Sequence, residues 1–388
     1  MSHMYFTEEH EVFRESFKDF LQKEVVPHID KWEKTGNIDR FIWRKFGDMG
    51  YFGLSYPEEY GGLNLDIFYM VIFLEELQKI NSGGFAAAIW AHVYLAMTHV
   101  NVEGDARIKN KYLGASISGE KIGCLCITEP FGGSDVAGMR TTAIRKENSY
   151  VINGSKTFIT NGVYSDYLIV AAKTDPSSKH AGMSIFIVDR DTPGISATKL
   201  DKLGWKASDT GEIAFDNVVV PSENLMGQEG KGFAYIMQHF ALERLIMGIN
   251  AHARAEYAVD YAIQYTSERQ AFGKTLDSFQ ALRHKIAEMA SQVEMCKEFN
   301  YSIAKRLNDG VYVVKEATMS KLISTKMADE VIYDALQLLG GYGYMEEYPM
   351  ARLLRDSRLG PIGGGTSEIL REIIAKIIID KKEYKSVT

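Results

Sequence analysis

The residues with the clearest capacity for chemistry are Glu243 and Arg244. They lie in a proline-free stretch over 230–266, GKGFAYIMQHFALERLIMGINAHARAEYAVDYAIQYT, rich in helix formers. Phe233, Ile236, Met237, Phe240 and Met247 recur at helical spacing as one apolar stripe, and Leu242, Leu245, Ile246 and Ile249 make a second. A helix that is apolar nearly all round is normally buried. Glu243 stands in the first stripe where another apolar residue is expected. A buried carboxylate is costly unless it is paired or neutralised. Two readings follow. Glu243 and Arg244 form a structural ion pair, or Glu243 is a general base in an apolar pocket, its pKa raised by desolvation.

Other candidate chemistry is sparse. Cys124 and Cys126 alternate with Gly123, Leu125 and Ile127, which reads as a strand rather than a metal pair, since no second ligand cluster accompanies them. The nine histidines are scattered, with none expected at i, i+4 from a helix-borne carboxylate, so no metal is expected. Three cysteines make no disulfide framework and point to a reducing compartment. Lys and Arg number 44 against 51 Asp and Glu, a net charge of −7, which argues against a nucleic-acid partner. No uninterrupted apolar run reaches membrane-spanning length, and no signal-peptide pattern is seen. The expected location is the cytoplasm, or the mitochondrial matrix in a eukaryotic source. Ser2-His3-Met4 looks like a cloning remnant and is set aside.

The elements that must position Glu243 come in three blocks, since 388 residues exceed one ordinary domain. Helical periodicity fills the first block, with segments expected over 8–32, 41–49, 66–80, 84–101 and 105–113 and a turn-rich break at Tyr56–Gly62. Gly83, Gly84, Ala86, Ala87 and Ala88 suit either a ligand lying close to that helix or close packing of protein against it. From Gly123 to about Pro221 the pattern alternates, with strands expected over 142–146, 150–153, 156–160, 167–172, 183–188 and 213–220. Asn153-Gly154 between two of these predicts a hairpin. Helical periodicity then returns over 231–266, 278–308, 313–339 and 367–379. The fold class expected is α+β multidomain, in α–β–α order: an N-terminal helical domain over 1–121, a central β-barrel or sandwich over 122–229, and a C-terminal helical bundle over 230–388.

Several motifs carry a family resemblance. Cys126-Ile127-Thr128-Glu129-Pro130-Phe131-Gly132-Gly133-Ser134-Asp135 opens the β block, and Gln337-Leu338-Leu339-Gly340-Gly341-Tyr342-Gly343-Tyr344 is followed by Glu347, Arg352 and Asp356. Both resemble the signature patterns of the acyl-CoA dehydrogenase family. Phe158-Ile159-Thr160-Asn161-Gly162, Glu268-Arg269-Gln270-Ala271-Phe272-Gly273 and Gln280 are similar to that family as well. The resemblance runs from roughly residue 5 to residue 380.

It implies FAD as cofactor, held without a Rossmann fingerprint, because no Gly-x-Gly-x-x-Gly follows a strand. Thr128, Phe158 and Thr160 are expected at the flavin ring and Arg269 on the pyrophosphate. Phe272, Gln280, Gln337 and Gly341 are expected at a neighbouring subunit's adenosine, with Thr366 and Glu368 completing the cofactor set. Ser134, Phe240 and Arg244 are expected on the acyl-CoA substrate. A homotetramer or homodimer and an electron-transfer flavoprotein as acceptor are implied too.

The departures are informative. Where many members carry a catalytic glutamate in Tyr-Glu-Gly-Thr, this chain has Gly363-Gly364-Gly365-Thr366, with glycine at the glutamate position. Phe240-Ala241-Leu242-Glu243-Arg244-Leu245 resembles instead the isovaleryl-CoA and long-chain branch, which places the base on the long helix. By that resemblance Glu243 removes the α-proton while Gly364 N–H polarises the thioester carbonyl, and the product is the trans-2-enoyl-CoA. Ala241 stands where many members have an aspartate that bonds pantetheine, and Phe158 replaces a commoner tryptophan. An acyl-CoA oxidase of the same fold and a flavin-binding scaffold without catalysis are the alternatives.

Overall fold

The computed structural model describes residues 4–178 and 181–384; Ser2 and His3 of the suspected remnant lie outside them. The chain runs helices, strands, helices, as the change of period implies.

The first layer holds α1 (Glu8–Phe20), α2 (Ile29–Thr35), α3 (Arg40–Asp48), α4 (Ile67–Lys79) and α5, a helical run over Gly83–Glu103 with a π-type stretch at Ala91–Ala96. The helical stripe over 8–32, expected to stop near Pro27 or shortly after, loosens there into a π turn and a 3-10 turn before α2 begins. Proline lacks the N–H an α-helix needs and crowds the preceding turn. Asp66 caps α4 by accepting the Phe68 N–H at 2.8 Å. By length and composition α5 could cross a membrane, contrary to the reading of the bare sequence, but 78% of its apolar window is buried inside the protein.

The middle of the chain forms one mixed eight-stranded sheet: β1 (Gly123–Cys126), β2 (Thr142–Lys146), β3 (Ser149–Thr160), β4 (Tyr167–Lys173), β5 (Met183–Asp189), β6 (Ile195–Lys199), β7 (Thr210–Pro221) and β8 (Leu225–Met226). The order is β6-β7-β3-β2-β4-β5-β8, with β1 parallel on β4. The hairpin expected at Asn153-Gly154 does not form. β3 runs straight through it, and the irregularity becomes a register shift against β7 between Ile152 and Gly154. Gly154 takes φ +144, and a Cβ there would come within 2.6 Å of Thr141 Oγ1. The glycine serves a close crossing, not a turn.

The last block comprises α6 (Gly232–Glu268), α7 (Gln280–Asn308), α8 (Val314–Leu339), α9 (Pro349–Ser357) and α10 (Ser367–Ile378). The 37-residue α6 passes through two cores. Ile236, Leu245, Ile246 and Ile249 belong to the core shared with the N-terminal helices, and Ala255, Ala258, Val259 and Ala262 to that of the bundle. Small residues let α8 approach: a Cβ on Gly248 would lie 2.2 Å from Ser320 Oγ.

One junction ties all three blocks. Asp356 accepts the Gly83 N–H at 2.9 Å through one carboxylate oxygen and the Trp205 N–H at 2.6 Å through the other. A Cβ on Gly84 would sit 2.6 Å from the Trp205 carbonyl carbon. Of the two explanations for these glycines, close packing by protein is the one found. Gly84→Ala is therefore expected to lower stability by about 1–3 kcal/mol, the usual penalty of overpacking. Thermal unfolding of the variant measures it, and an unchanged midpoint would mean the junction gives way freely.

Candidate functional site

Glu243 projects from α6 into a space closed on the far side by the loop before α10. A Cβ on Gly364 would lie 3.4 Å from Glu243 Oε1 and 3.6 Å from Met247 Cγ. The two positions from which the family could supply a base thus address the same volume. Gly364 and Gly365 adopt φ +64 and +95, a region that favours glycine. The Gly364 N–H has no acceptor among the described residues.

The ion-pair reading of Glu243-Arg244 does not hold. Successive helix residues diverge by about 100°, and the Arg244 guanidinium turns away, donating from Nη1 to Thr318 Oγ1 at 3.1 Å and lying 5.6 Å over the Phe240 ring. Glu243 has no hydrogen-bond or ion-pair partner among the described residues. As a whole residue Glu243 is half-buried, while its carboxyl is surrounded by protein. Burial pushes its pKa above the ordinary glutamate value, with the Arg244 and Lys321 charges opposing that rise. Arg244 is 6% exposed, and its Nε finds no acceptor among the described residues.

The β block supplies a polar rim. Thr157 N–H donates to the Thr128 carbonyl at 2.9 Å, which sets the Cys126–Asp135 segment against the end of β3. Below this contact Lys156, wholly buried, donates to Glu129 Oε1 at 2.9 Å and to the Ile127 carbonyl at 3.0 Å. Glu129 also accepts the Arg140 and Thr141 N–H groups at 2.6 and 2.9 Å. Burial raises the Glu129 pKa, but Lys156 and these bonds bring it net below its usual value. The Thr128 and Thr160 hydroxyls have no partner among the described residues. Phe158 stands between them in sequence at φ +60, unusual for a bulky residue, and is 70% exposed. Ser134 is exposed on the loop beyond Thr128.

A separate group gathers at the far end of α6. Arg269, Gln337 and Gly341 line a cavity of about 600 Å³ together with Tyr265 and Tyr342. Arg269 lies 5.5 Å over the Tyr342 ring and has no carboxylate partner among the described residues. Cβ atoms on Gly340 and Gly341 would meet nothing within 4 Å. Phe272, 96% exposed, and Gln280, at the start of α7, stand beside this cavity but outside its lining. An unpaired guanidinium above open glycines fits a pyrophosphate and its attached nucleoside. This group cannot act on the Glu243 volume of its own chain. Arg269 follows Glu243 by 26 residues, about 39 Å along a helix rising 1.5 Å per residue.

Two residues expected at the cofactor also make local contacts. Thr366 caps α10 by accepting the Ile369 N–H at 3.4 Å, and Glu368 is exposed and paired with Arg371 at 3.1 Å. The histidine reading also needs correction. His99 and Glu103 do pair at i, i+4, with Nδ1 3.0 Å from the carboxylate, and His239 Nε2 reaches the other oxygen at 2.9 Å. The three could approach one metal ion geometrically. Their mutual hydrogen bonds already occupy the carboxylate, so the cluster is satisfied as it stands. Cys124 and Cys126 are buried in β1, as the alternation implies.

Lys156 and Lys321 belong to none of the sequence motifs. The signal available was a lysine on an otherwise inward face: among Ala317, Ser320, Ser324 and Ala328 for Lys321, and on an alternating strand for Lys156.

Family models described as the N-terminal, middle and C-terminal domains of acyl-CoA dehydrogenase match residues 7–120, 124–218 and 230–379. Isovaleryl-CoA dehydrogenase, mitochondrial, of Oryza sativa subsp. japonica is 38% identical, over 97% of this chain and 92% of the relative. The long-chain specific acyl-CoA dehydrogenase, mitochondrial, of Mus musculus is 37% identical, over 96% of this chain and 87% of the relative. The crystal structure of acyl-CoA dehydrogenase from Geobacillus kaustophilus superposes with a TM-score of 0.95 at 41% identity, covering 97% of this chain and 99% of that one. With the enclosed carboxylate, the paired glycine position and the three-block fold in agreement, the chain belongs to the acyl-CoA dehydrogenase family.

Proposed function

We propose that the protein is an FAD-dependent acyl-CoA dehydrogenase that converts an acyl-CoA thioester to the trans-2-enoyl-CoA, with Glu243 as the base. The observation that carries this reading is the walled, unpartnered Glu243 carboxyl facing Gly364. Bound FAD supplies the hydride acceptor for the substrate β-carbon. Everything else falls to this chain's own groups.

A thioester α-proton is weakly acidic, so abstraction succeeds only if charge developing on the carbonyl oxygen is met by preorganised donors. The Gly364 N–H, with no acceptor among the described residues, is such a donor. Glycine at 364 removes a side chain from the very volume Glu243 addresses, so one carboxylate serves instead of two competing ones. Burial makes Glu243 a stronger base, and the Arg244 and Lys321 charges keep it from holding its proton too tightly. Arg244, Phe240 and Ser134 would hold the thioester arm, Arg244 through its orphaned Nε.

Thr128 and Thr160 would hydrogen-bond the flavin edge and Phe158 would cover its outer face. On the resemblance, Thr366 and Glu368 at the α10 terminus contribute to the same cofactor. Arg269, Gln337 and Gly341, flanked by Phe272 and Gln280, would receive the pyrophosphate and adenosine of a neighbour's FAD. About 39 Å of helix separates them from Glu243, so the site is complete only between copies. A homotetramer, or at least a homodimer, follows. The exposed Phe158 edge suits transfer of electrons to an electron-transfer flavoprotein. A cytoplasmic location, or the mitochondrial matrix in a eukaryotic source, goes with this reading, and relatives described as mitochondrial support the latter.

The purified protein should be yellow, oligomeric by light scattering, with about one FAD per chain, and its flavin colour should bleach when an acyl-CoA is added without oxygen. A colourless protein that FAD cannot reconstitute would sink the reading, as would a monomer that retains FAD and turns over. Rapid oxygen consumption would point to the oxidase alternative.

A further inference from the structure

Lys321 lies on α8 with its side chain wholly buried. Its ammonium donates to the Gly365 carbonyl at 2.6 Å and has no carboxylate within ion-pair distance among the described residues. Burial pulls its pKa down to about 8, against the pull of Glu243, the foremost negative charge acting on it. The other charged groups facing this space are Arg244 from α6, with Tyr312 and Tyr384 beyond it, and Glu368 from α10.

The loop it touches is intrinsically loose. Gly363, Gly364 and Gly365 follow one another, and the last two take positive φ. Glycine pays the largest entropy on being fixed, so a single orientation of the Gly364–Gly365 segment needs an anchor. On the upstream side the Ile362 and Gly363 N–H groups bond the Leu359 carbonyl at 2.9 Å each; downstream, Ser367 N–H bonds the Pro361 carbonyl at 3.0 Å. Between them the Lys321–Gly365 bond is the tie nearest the free Gly364 N–H. Stability alone is a poor reason for this lysine, because an apolar side chain of similar length avoids the desolvation penalty and packs equally well.

We propose that Lys321 is a positioning residue for proton abstraction: it fixes the peptide that presents the Gly364 N–H opposite Glu243, and its positive charge favours the ionised, proton-accepting form of Glu243. The proposal rests on the assignment of Glu243 as the base. Lys321 touches neither reacting atom; it acts through the loop and through the field at the carboxylate.

The test uses the full-length, FAD-loaded protein and anaerobic flavin reduction by an acyl-CoA followed across pH. Lys321→Met removes both charge and donor. It should slow reduction by about 10- to 100-fold, the scale of a small misplacement of reacting groups. The acidic limb of its pH–rate profile should move upward by about one pH unit, because a cation beside the base has been lost. Lys321→Gln keeps an N–H donor without the charge, and should show the same limb shift with a smaller loss of rate. FAD content and unfolding midpoint should stay near wild type in both. Wild-type rates and an unmoved limb in both variants would overturn the proposal, as would a loss of rate that merely tracks loss of FAD. Glu243→Gln assayed alongside separates the two claims: an inactive Glu243→Gln with normal Lys321 variants defeats only the role of Lys321, whereas a normal Glu243→Gln defeats the assignment beneath it.

Discussion

Glu243→Gln is expected to cut acyl-CoA turnover by at least about a thousandfold, equivalent to about 4 kcal/mol of transition-state stabilisation. The substitution keeps the volume of the side chain and removes its basicity. The protein should retain its FAD, since Glu243 is not among the residues proposed to hold the cofactor and does not line the Arg269 cavity. Stability should hold or rise. A carboxyl whose folded pKa is raised binds more protons folded than unfolded between the two values, so its contribution to stability falls as pH climbs through that window. The amide abolishes the term. The structural ion-pair reading forecasts the opposite, a weakened fold with normal chemistry, but Arg244 is held by Thr318 and not by Glu243. In the wild type the same raised pKa should place the acidic limb of the pH–rate profile above the ordinary carboxylate range, with activity rising as Glu243 ionises.

Lys156→Met should be the most damaging single change to the polar rim. Glu129, 4% exposed, would keep its two backbone donors but lose the one cation paired with it among the described residues, and breaking one side of a buried pair typically costs about 3–5 kcal/mol. Because the pair underlies the Thr157–Thr128 contact, FAD occupancy should fall together with the unfolding midpoint. The double change Lys156→Met with Glu129→Gln should recover at least half of the lost stability, since no uncompensated charge remains. Equal instability of single and double variants would mean that the hydrogen bonds to the Ile127 carbonyl and the backbone, not the charge pairing, hold the rim.

Much of the frame was legible in the residues because its periods are long and unambiguous. The stripes around Glu243 announce α6, and the return of helical spacing after Gly227 announces the bundle. Asn153-Gly154 misled because its dipeptide chemistry suits a turn, whereas a tertiary crossing over Thr141 claims the glycine for a continuous strand. The i, i+4 pairing of His99 with Glu103 has no periodic signature in an apolar helix, and its third member, His239, lies 136 residues beyond Glu103. At the site, local sequence identified the charge in the stripe. Only the fold could show that Gly364, 121 positions later, faces it, or that Lys321 reaches in from a third element to hold the next carbonyl. Long-range juxtapositions of that kind leave no periodic trace. The separation of Arg269 from Glu243 becomes meaningful once Glu243 is seen inside one unbroken helix that ends just before Arg269.

The central claim, that Glu243 itself takes the α-proton, is tested most directly by separating proton abstraction from hydride transfer. A 3-thia-acyl-CoA carries sulfur in place of the β-carbon and so has no β-hydride to lose, but its α-protons can still be removed and returned. Incubated with the FAD-loaded protein in deuterated buffer and followed by NMR, it should acquire deuterium at the α-carbon with the wild type and show no enzyme-dependent exchange with Glu243→Gln. Exchange by Glu243→Gln at the wild-type rate would place the base elsewhere and contradict the account.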